Sequence, residues 1–534
     1  MLNFRFAFLY IIVIAYLPLV YTTVKTVSLK KLRDYTFTKL LIKDFIRTIP
    51  ICALVSLPIL VMPDVARPYL MIIQAIFMPL MFMELGHIYL FGTRIGLNTF
   101  YSVFVSNIRE TREFIGQNIP VILYILAPLF YLIPFIGLYH LPQPAFDNNL
   151  VHIAAVTTGL ILSIPFIRNL FKKGFKFKDG YILNPFSNLI WHYISYRRHY
   201  RDLQQKIATH NAPLFDTITS VLPDKAKGPC RYIIVIGESA NSMHFSCYGY
   251  PRQTNEFTES EKGLIAFKGV RSQFAQTMPS LEKAISFADT LHPEFVLQKG
   301  SLIDYFKQAG FKTYWLSNQY ALEDTVITAM TAHADYNKCF NFSGMKRFEK
   351  AGLDGDMLPD IEKILSSSDE KQVIFVHLIG SHSAYVNRYP ASFRHWTDHL
   401  AGKNLSDYGH RLLNSYDDSI RYTDWVLSQI INQLKATDSV SYMLYFSDHG
   451  EDIFDTTTNK ILGHSQIANK PMTSIPFMLW LSPKLEALRP DIRMRSKHYQ
   501  SDYKLEDAIH TIIDVSSLTN KDYEPLKSIL NPKG

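Results

Sequence analysis

Two different rhythms of hydrophobic and polar residues divide the chain. In the first third, apolar stretches recur at about 5–22, 47–64, 68–92, 119–139 and 150–167. Each is close to the ~20 residues that carry a helix across a hydrocarbon core. Five such stretches in succession, almost free of charge, predict a transmembrane helical domain rather than buried helices of a soluble protein. The first has one early Arg5 and then an apolar run, like a signal peptide. It runs out in Tyr-Thr-Thr-Val-Lys with no small-residue cleavage site, which predicts a retained membrane helix. Glu84 and His87 interrupt the third stretch and are expected to face the interior of the bundle.

The connecting segments mix charge with apolar residues. Residues 24–46 carry Lys25, Lys30, Lys31, Arg33, Lys39 and Lys43, and residues 168–178 carry Arg168, Lys172, Lys173, Lys176 and Lys178. With 99–115 they read as amphipathic helices lying in the bilayer interface. The basic connections fall on the side that carries the C-terminal domain, which the positive-inside tendency would assign to the cytoplasm.

Beyond about residue 180 the rhythm changes. Short apolar runs at 232–236, 313–316, 373–377, 442–446 and 476–481 end in polar residues or glycine and alternate with helical stretches at about 300–309, 356–366 and 411–435. Continuous apolar strands imply a sheet covered on both faces, and the alternation predicts an α/β sandwich with a largely parallel sheet. The expected division is 1–168 for a five-helix transmembrane domain with interfacial helices, 169–225 for a linker, and 226–534 for the catalytic domain. Ligands of open α/β sheets bind beyond the carboxyl ends of the strands. Those ends carry Glu238, Ser317-Asn318, Ser381-His382 and Asp448-His449.

Bulk composition adds limits. A hydrophobic content of 48% with mean hydropathy near zero reflects the apolar first third. The net charge of +8 is spread out, with no Lys/Arg tract of the kind that binds nucleic acid, so no nucleic-acid partner is expected. Contact with anionic lipid head groups is the simpler reading. Four cysteines without a CxxC pair argue against a cysteine zinc site, and Cys230, Cys247 and Cys339 can form at most one disulfide among themselves.

The candidate chemistry sits on the strand ends. A carboxylate beside an imidazole, Asp448-His449, suits zinc, although such a pair also serves as a cap or hydrogen-bonding group. Glu238, placed the same way on an earlier strand, tips the balance toward metal. Thr277, just before Pro279 in the expected first turn of a helix, is either an ordinary capping threonine or a nucleophile at a helix N-terminus. His382 and His464 each stand next to glycine-bearing turns and are candidates for gripping phosphate or protonating a leaving group. His377, inside its strand, reads as core, while His244, His333 and His410 have no comparable context.

Several blocks together resemble the phosphoethanolamine transferases of Gram-negative bacteria, in the alkaline phosphatase and sulfatase superfamily. They are Ile236-Gly-Glu-Ser-Ala-Asn241 with Tyr248-Gly-Tyr250, Ala275-Gln-Thr-Met-Pro-Ser-Leu-Glu282, His377-Leu-Ile-Gly-Ser-His382, Asn414 to Asp424, Ser447-Asp-His-Gly-Glu451 and Gly463-His464. The resemblance implies an alkaline phosphatase-like catalytic domain in the periplasm, tethered to the inner membrane, with the basic connections lying on anionic lipid. It implies one zinc site formed by Glu238, Thr277, Asp448 and His449, with room left for a second, transient metal, and Thr277 as the nucleophile. It implies substrate contacts from His382 and His464, and from Asn107 and Thr111, which are four apart and share a helix face. The family's glutamate one turn later is replaced by Ile115, with Glu113 nearby. The donor it implies is phosphatidylethanolamine, and the acceptor a lipopolysaccharide (lipid A, Kdo or inner-core heptose) or a related glycan. Disulfides common in relatives cannot be reproduced here, which leaves stability to the core. Rival readings are a glycerol-phosphate transferase, a phosphodiesterase or sulfatase, and a transporter or sensor without activity. Thr277 in place of a modifiable Cys or Ser argues against a sulfatase.

Overall fold

A computed structural model of the protein describes residues 53–59, 61–91, 149–170, 193–198, 215–222, 228–320, 325–341, 352–456, 468–499 and 501–531, with single positions at 95, 128–129, 132, 136–137, 139–140 and 201. These residues fall into two compact units, one drawn from the first 200 residues and one containing Arg201–Gly534.

In the first unit, helix α1 (Ala66–Phe91) and helix α2 (Asn149–Leu170) coincide with two of the expected spans. The spans at 5–22 and most of 119–139 lie outside the described residues. Among the described residues, no helix is long and apolar enough to cross a membrane. Both helices are mostly apolar, with polar residues interspersed: Gln74, Glu84 and His87 in α1, and His152, Thr157, Thr158, Ser163 and Arg168 in α2. Glu84 is fully buried, whereas Ile72, Ile76, Leu150, Ile153 and Ile161 are exposed. The hydroxyls of Thr157, Thr158 and Ser163 each donate to the carbonyl four residues back, at 2.8, 2.7 and 2.7 Å. That arrangement satisfies them without water.

The second unit is built on a seven-stranded sheet. Its strands are β1 (Cys230–Gly237), β2 (Leu264–Ala266), β3 (Lys312–Tyr320), β4 (Tyr336–Asn341), β5 (Lys371–His377), β6 (Val440–Ser447) and β7 (Phe477–Leu481), in spatial order β2-β7-β6-β1-β5-β3-β4. The five strands from β6 to β4 are mutually parallel, whereas β7 runs antiparallel to β6 and β2 antiparallel to β7. All eight residues of β1 are buried. Tyr232, Ile234 and Ile236 join one core layer, and Ile233 and Val235 the other. This period-2 division explains why the central strands read as unbroken apolar runs.

Helices cover both faces. Helix α3 (Thr277–Ala284), helix α4 (Leu302–Gln308) and helix α7 (Ala508–Val515) pack on the first layer, and helix α5 (Leu358–Leu365) and helix α6 (Asp407–Ala436) on the second. Cys230, Cys247 and Cys339 are free thiols, so this unit relies on its core.

Parallel register brings the strand ends level. Gly237 pairs with Ser447, Ile236 with His377, and Ser317 with His377. Residues 238, 378 and 448 therefore leave the sheet side by side, at the rim where open α/β sheets bind ligands.

Candidate active site

Glu238, Asp448 and His449 converge just past the ends of β1 and β6, all at most 1% exposed, with one potential ligand atom from each within 4.8 Å of the others. The backbone sets this up. Asp448 N–H donates to Gly237 O at 3.1 Å. Ser239 takes a left-handed φ of 60°, and its N–H donates to Asp448 Oδ1 at 3.2 Å, beside the His449 N–H at 2.7 Å. With Oδ1 committed to two amides, Asp448 Oδ2 has no hydrogen-bond donor and lies 3.4 Å from His449 Nε2. His449 Nδ1 must donate to the Gly450 carbonyl at 3.0 Å, since a carbonyl only accepts. That commits Nδ1 and turns Nε2 toward the carboxylates, where it could ligate a metal once it gives up its proton, an arrangement typical of metal-ligating histidines.

Thr277 completes the group. It is the first residue of α3, with Gln276 at the cap position, so its side chain does no capping. The Thr277 hydroxyl instead lies 3.0 and 3.2 Å from the Glu238 oxygens and 3.4 Å from His449 Nε2. The hydroxyl is thus directed at the acidic cluster rather than at the amides of its own helix. Thr277 is half-buried, unlike the three residues it faces.

The electrostatics suit a cation. Burial works against ionisation of Glu238, but the hydrogen bond and charge of His449, the charge of His382 and the Ser239 hydroxyl hold its carboxyl far below the usual range. Burial and the Glu238 charge push Asp448 up. Burial alone would lower His449, but the two carboxylates raise it. Two buried carboxylates, one carrying an oxygen without a donor, share one imidazole. The spacing also fits. Tetrahedral zinc with bonds of about 2.0–2.2 Å separates its ligands by roughly 3.3–3.6 Å, and the contacts among these four residues run from 3.0 to 3.4 Å. The donor set, two carboxylates, an imidazole and a hydroxyl, is suited to zinc.

The segment after β5 packs against the same centre. Leu378 N–H donates to Ile236 O and Ser381 N–H to Glu238 O, both at 2.9 Å. Gly380, at φ +52°, passes so close that an added Cβ would lie 2.8–2.9 Å from the Glu238 backbone O and N. Asp354, fully buried, accepts from Ile379 N and Gly380 N at 2.9 Å and from Asn318 Nδ2 at 2.9 Å. This turn carries His382, partly buried, whose charge acts on Glu238. His377 is buried at the strand end, pushed down to about 4 by burial, with its ring edge-on to Trp315, as its core reading requires. His464, Asn107, Thr111 and Glu113 lie outside the described residues.

Sequence reasoning passed over His244. Fully buried, it bridges Asp417 of α6 at 2.8 Å and Asp455 at 3.1 Å. Asp417 also takes Arg252 at 2.7 Å and the Tyr250 hydroxyl at 2.8 Å, while Asp455 takes Asn241 at 3.3 Å and Lys403 at 3.4 Å. The network ties the loop after Glu238 and the loop after His449 to one helix. Burial works against the His244 charge, but the hydrogen bonds and charges of Asp417 and Asp455 push it up to about 9. A raised folded value means that its contribution, on the order of 3 kcal/mol, is complete below the unfolded value near 6.5 and disappears as pH rises through about 9. His244→Gln should therefore lower the melting temperature markedly at pH 6 and little at pH 9.5. An equal loss at both pH values would show that the histidine is neutral in the fold. The signal in the sequence was the Asn414–Asp424 block, whose acidic residues face inward.

Comparison with known proteins agrees with this geometry. The sulfatase family model matches residues 231–517. Phosphoethanolamine transferase CptA of Salmonella typhimurium is 30% identical over 502 residues, covering 89% of this chain and 85% of that protein. The chain belongs to the phosphoethanolamine transferase family, within the alkaline phosphatase and sulfatase superfamily. Phosphoethanolamine transferase EptC of Escherichia coli K12 is 28% identical over 468 residues, covering 83% of this chain and 79% of its own. The C-terminal periplasmic domain of Escherichia coli EptC, solved in complex with Zn, superposes with a TM-score of 0.55 at 30% identity, over 60% of this chain and 90% of that one. The integral membrane protein lipooligosaccharide phosphoethanolamine transferase A of Neisseria meningitidis shares the fold, with a TM-score of 0.71 at 18% identity over 98% of this chain and 97% of its own.

Proposed function

We propose that this protein moves phosphoethanolamine from phosphatidylethanolamine to lipopolysaccharide by way of a phosphothreonine at Thr277. The observation that carries the reading is the half-buried Thr277 hydroxyl held against Glu238 and His449, 3.0 Å from the nearer carboxylate oxygen. Glu238, Asp448 and His449, with the Thr277 oxygen, would hold a single zinc. A zinc ion there would lower the pKa of the threonine hydroxyl and offset charge on the phosphoryl oxygens.

The chain's own residues then carry out two displacements. Thr277 Oγ attacks the phosphorus, the bond from phosphorus to the diacylglycerol oxygen breaks, and phosphoethanolamine ends on the threonine. The hydroxyl proton, directed at the Glu238 carboxylate before reaction, is matched by the proton the diacylglycerol alcohol takes up as it leaves. In the second displacement an acceptor oxygen of the glycolipid attacks the same phosphorus, gives up its proton, and Thr277 recovers its hydroxyl. Thr277 is the first residue of α3, and the positive end of the helix dipole would favour the phosphate charge there. His382 and His464 grip the transferred group, and Asn107 and Thr111 contact the lipid substrate.

A lipid donor fits an inner-membrane protein with 1–168 in the bilayer, 169–225 as a bridge and 226–534 in the periplasm. Exposed apolar residues on α1 and α2 and the internally satisfied hydroxyls of α2 support that placement. Curated relatives support the acceptor class: one in Escherichia coli K12 is named Kdo(2)-lipid A phosphoethanolamine 7''-transferase. Mass spectrometry of lipopolysaccharide from cells with and without the protein tests the reading. Loss of phosphoethanolamine-bearing species on deletion, restored by the wild-type chain, is expected. Identical spectra would refute lipopolysaccharide as the acceptor.

A further inference from the structure

The reading of the site as a metal centre makes the orientation of Glu238 decisive, and both of its carboxylate oxygens are held by neighbours. Oε1 accepts from the Ser239 hydroxyl at 2.8 Å. Oε2 accepts from Gln319 Nε2 at 3.2 Å. Gln319 lies at the end of β3, where the pairing with β4 shifts register between Ser317 and Tyr320. Irregularities of this kind re-aim side chains beside functional sites.

The Gln319 amide has one possible orientation. Its nitrogen also donates to Leu378 O at 2.8 Å, and both partners, a carbonyl and an ionised carboxylate, only accept. Its backbone is pinned as well. The N–H donates to Ser317 Oγ at 3.2 Å, and the carbonyl accepts from Cys339 Sγ at 3.2 Å. The side chain therefore joins the turn after β5 to the ligand carboxylate, and it reaches Glu238 from a strand that supplies no ligand itself.

We propose that Gln319 is a positioning residue for the metal centre: its amide, bridging Leu378 O and Glu238 Oε2, fixes the plane of the Glu238 carboxylate, so that the ligand set is assembled before the metal binds. A neutral donor suits this task, because it stabilises the carboxylate without competing for the cation.

The test is zinc affinity of the purified full chain in detergent, by competition with a chromophoric chelator. Gln319→Met preserves length and removes the donor; loss of such an outer partner costs about 10–100-fold in metal affinity. The expected result is a loss in that range with the melting temperature of the zinc-free protein unchanged. Affinity within twofold of wild type would overturn the proposal. So would a loss matched by an equal fall in zinc-free stability, which would mark Gln319 as a packing residue. Should Gln319→Met fail to fold, Gln319→Asn, one methylene too short to reach, gives the same reading. Wild-type protein that fails to bind zinc would refute the metal centre itself, a result distinct from any difference between variants.

Discussion

Thr277→Ala should lower the transfer rate by at least about a thousandfold while leaving the fold and zinc content largely intact. Loss of a nucleophile removes the covalent route altogether, and the residual rate then rests on binding and electrostatics alone. Glu238, Asp448 and His449 keep their mutual contacts without the threonine, since His449 Nε2 lies 3.1 Å from Glu238 Oε1 and 3.4 Å from Asp448 Oδ2. Thr277→Ser retains the hydroxyl at the first position of α3 and should recover a measurable part of the rate. Transfer of a fluorescent phosphatidylethanolamine head group reports both variants. Wild-type activity in Thr277→Ala would place the nucleophile elsewhere.

Asp448→Asn should have opposite effects on the metal-free and the metal-loaded protein. In the fold Asp448 and Glu238 are both buried and crowd a single imidazole, and the charge of Glu238 is a main reason Asp448 resists ionisation. Asparagine keeps an oxygen for the two backbone amides that bind Oδ1 and removes the charge conflict. The zinc-free melting temperature should therefore hold or rise. Zinc affinity should drop by at least about a hundredfold, because an anionic ligand has gone. Wild type should gain about 2.7 kcal/mol at zinc a hundredfold above its Kd, and the variant almost none at the same concentration. Equal stabilisation of both proteins by zinc would remove Asp448 from the metal site.

Parts of the fold were legible because the physics is local. Central parallel strands are buried on both faces, so 232–236, 373–377 and 442–446 stand out as apolar runs, and β1, β5 and β6 extend each by only a few residues. The strand ends then pointed to one rim, and Glu238, Asp448, His449 and Thr277 meet there. Edge strands were less legible. β4 reads Tyr-Asn-Lys-Cys-Phe-Asn and β2 has three residues, so neither shows the pattern of a buried strand. The run at 476–481 was visible as a strand, but its antiparallel direction depends on the path of the chain rather than on composition.

The partners that steady the site were the least legible. Gln319 reaches Glu238 across 81 positions through a register shift, and His244 meets Asp417 and Asp455 across 173 and 211. No local spacing encodes such contacts. They exist because β3, α6 and the loop after β6 are brought to the same end of one sheet.

The most direct measurement is peptide mass mapping of the zinc-loaded protein after incubation with phosphatidylethanolamine vesicles and no acceptor. One phosphoethanolamine group on Thr277, with a matching release of diacylglycerol, is the predicted result. Release of diacylglycerol with no adduct, or with the adduct on another residue, would contradict it.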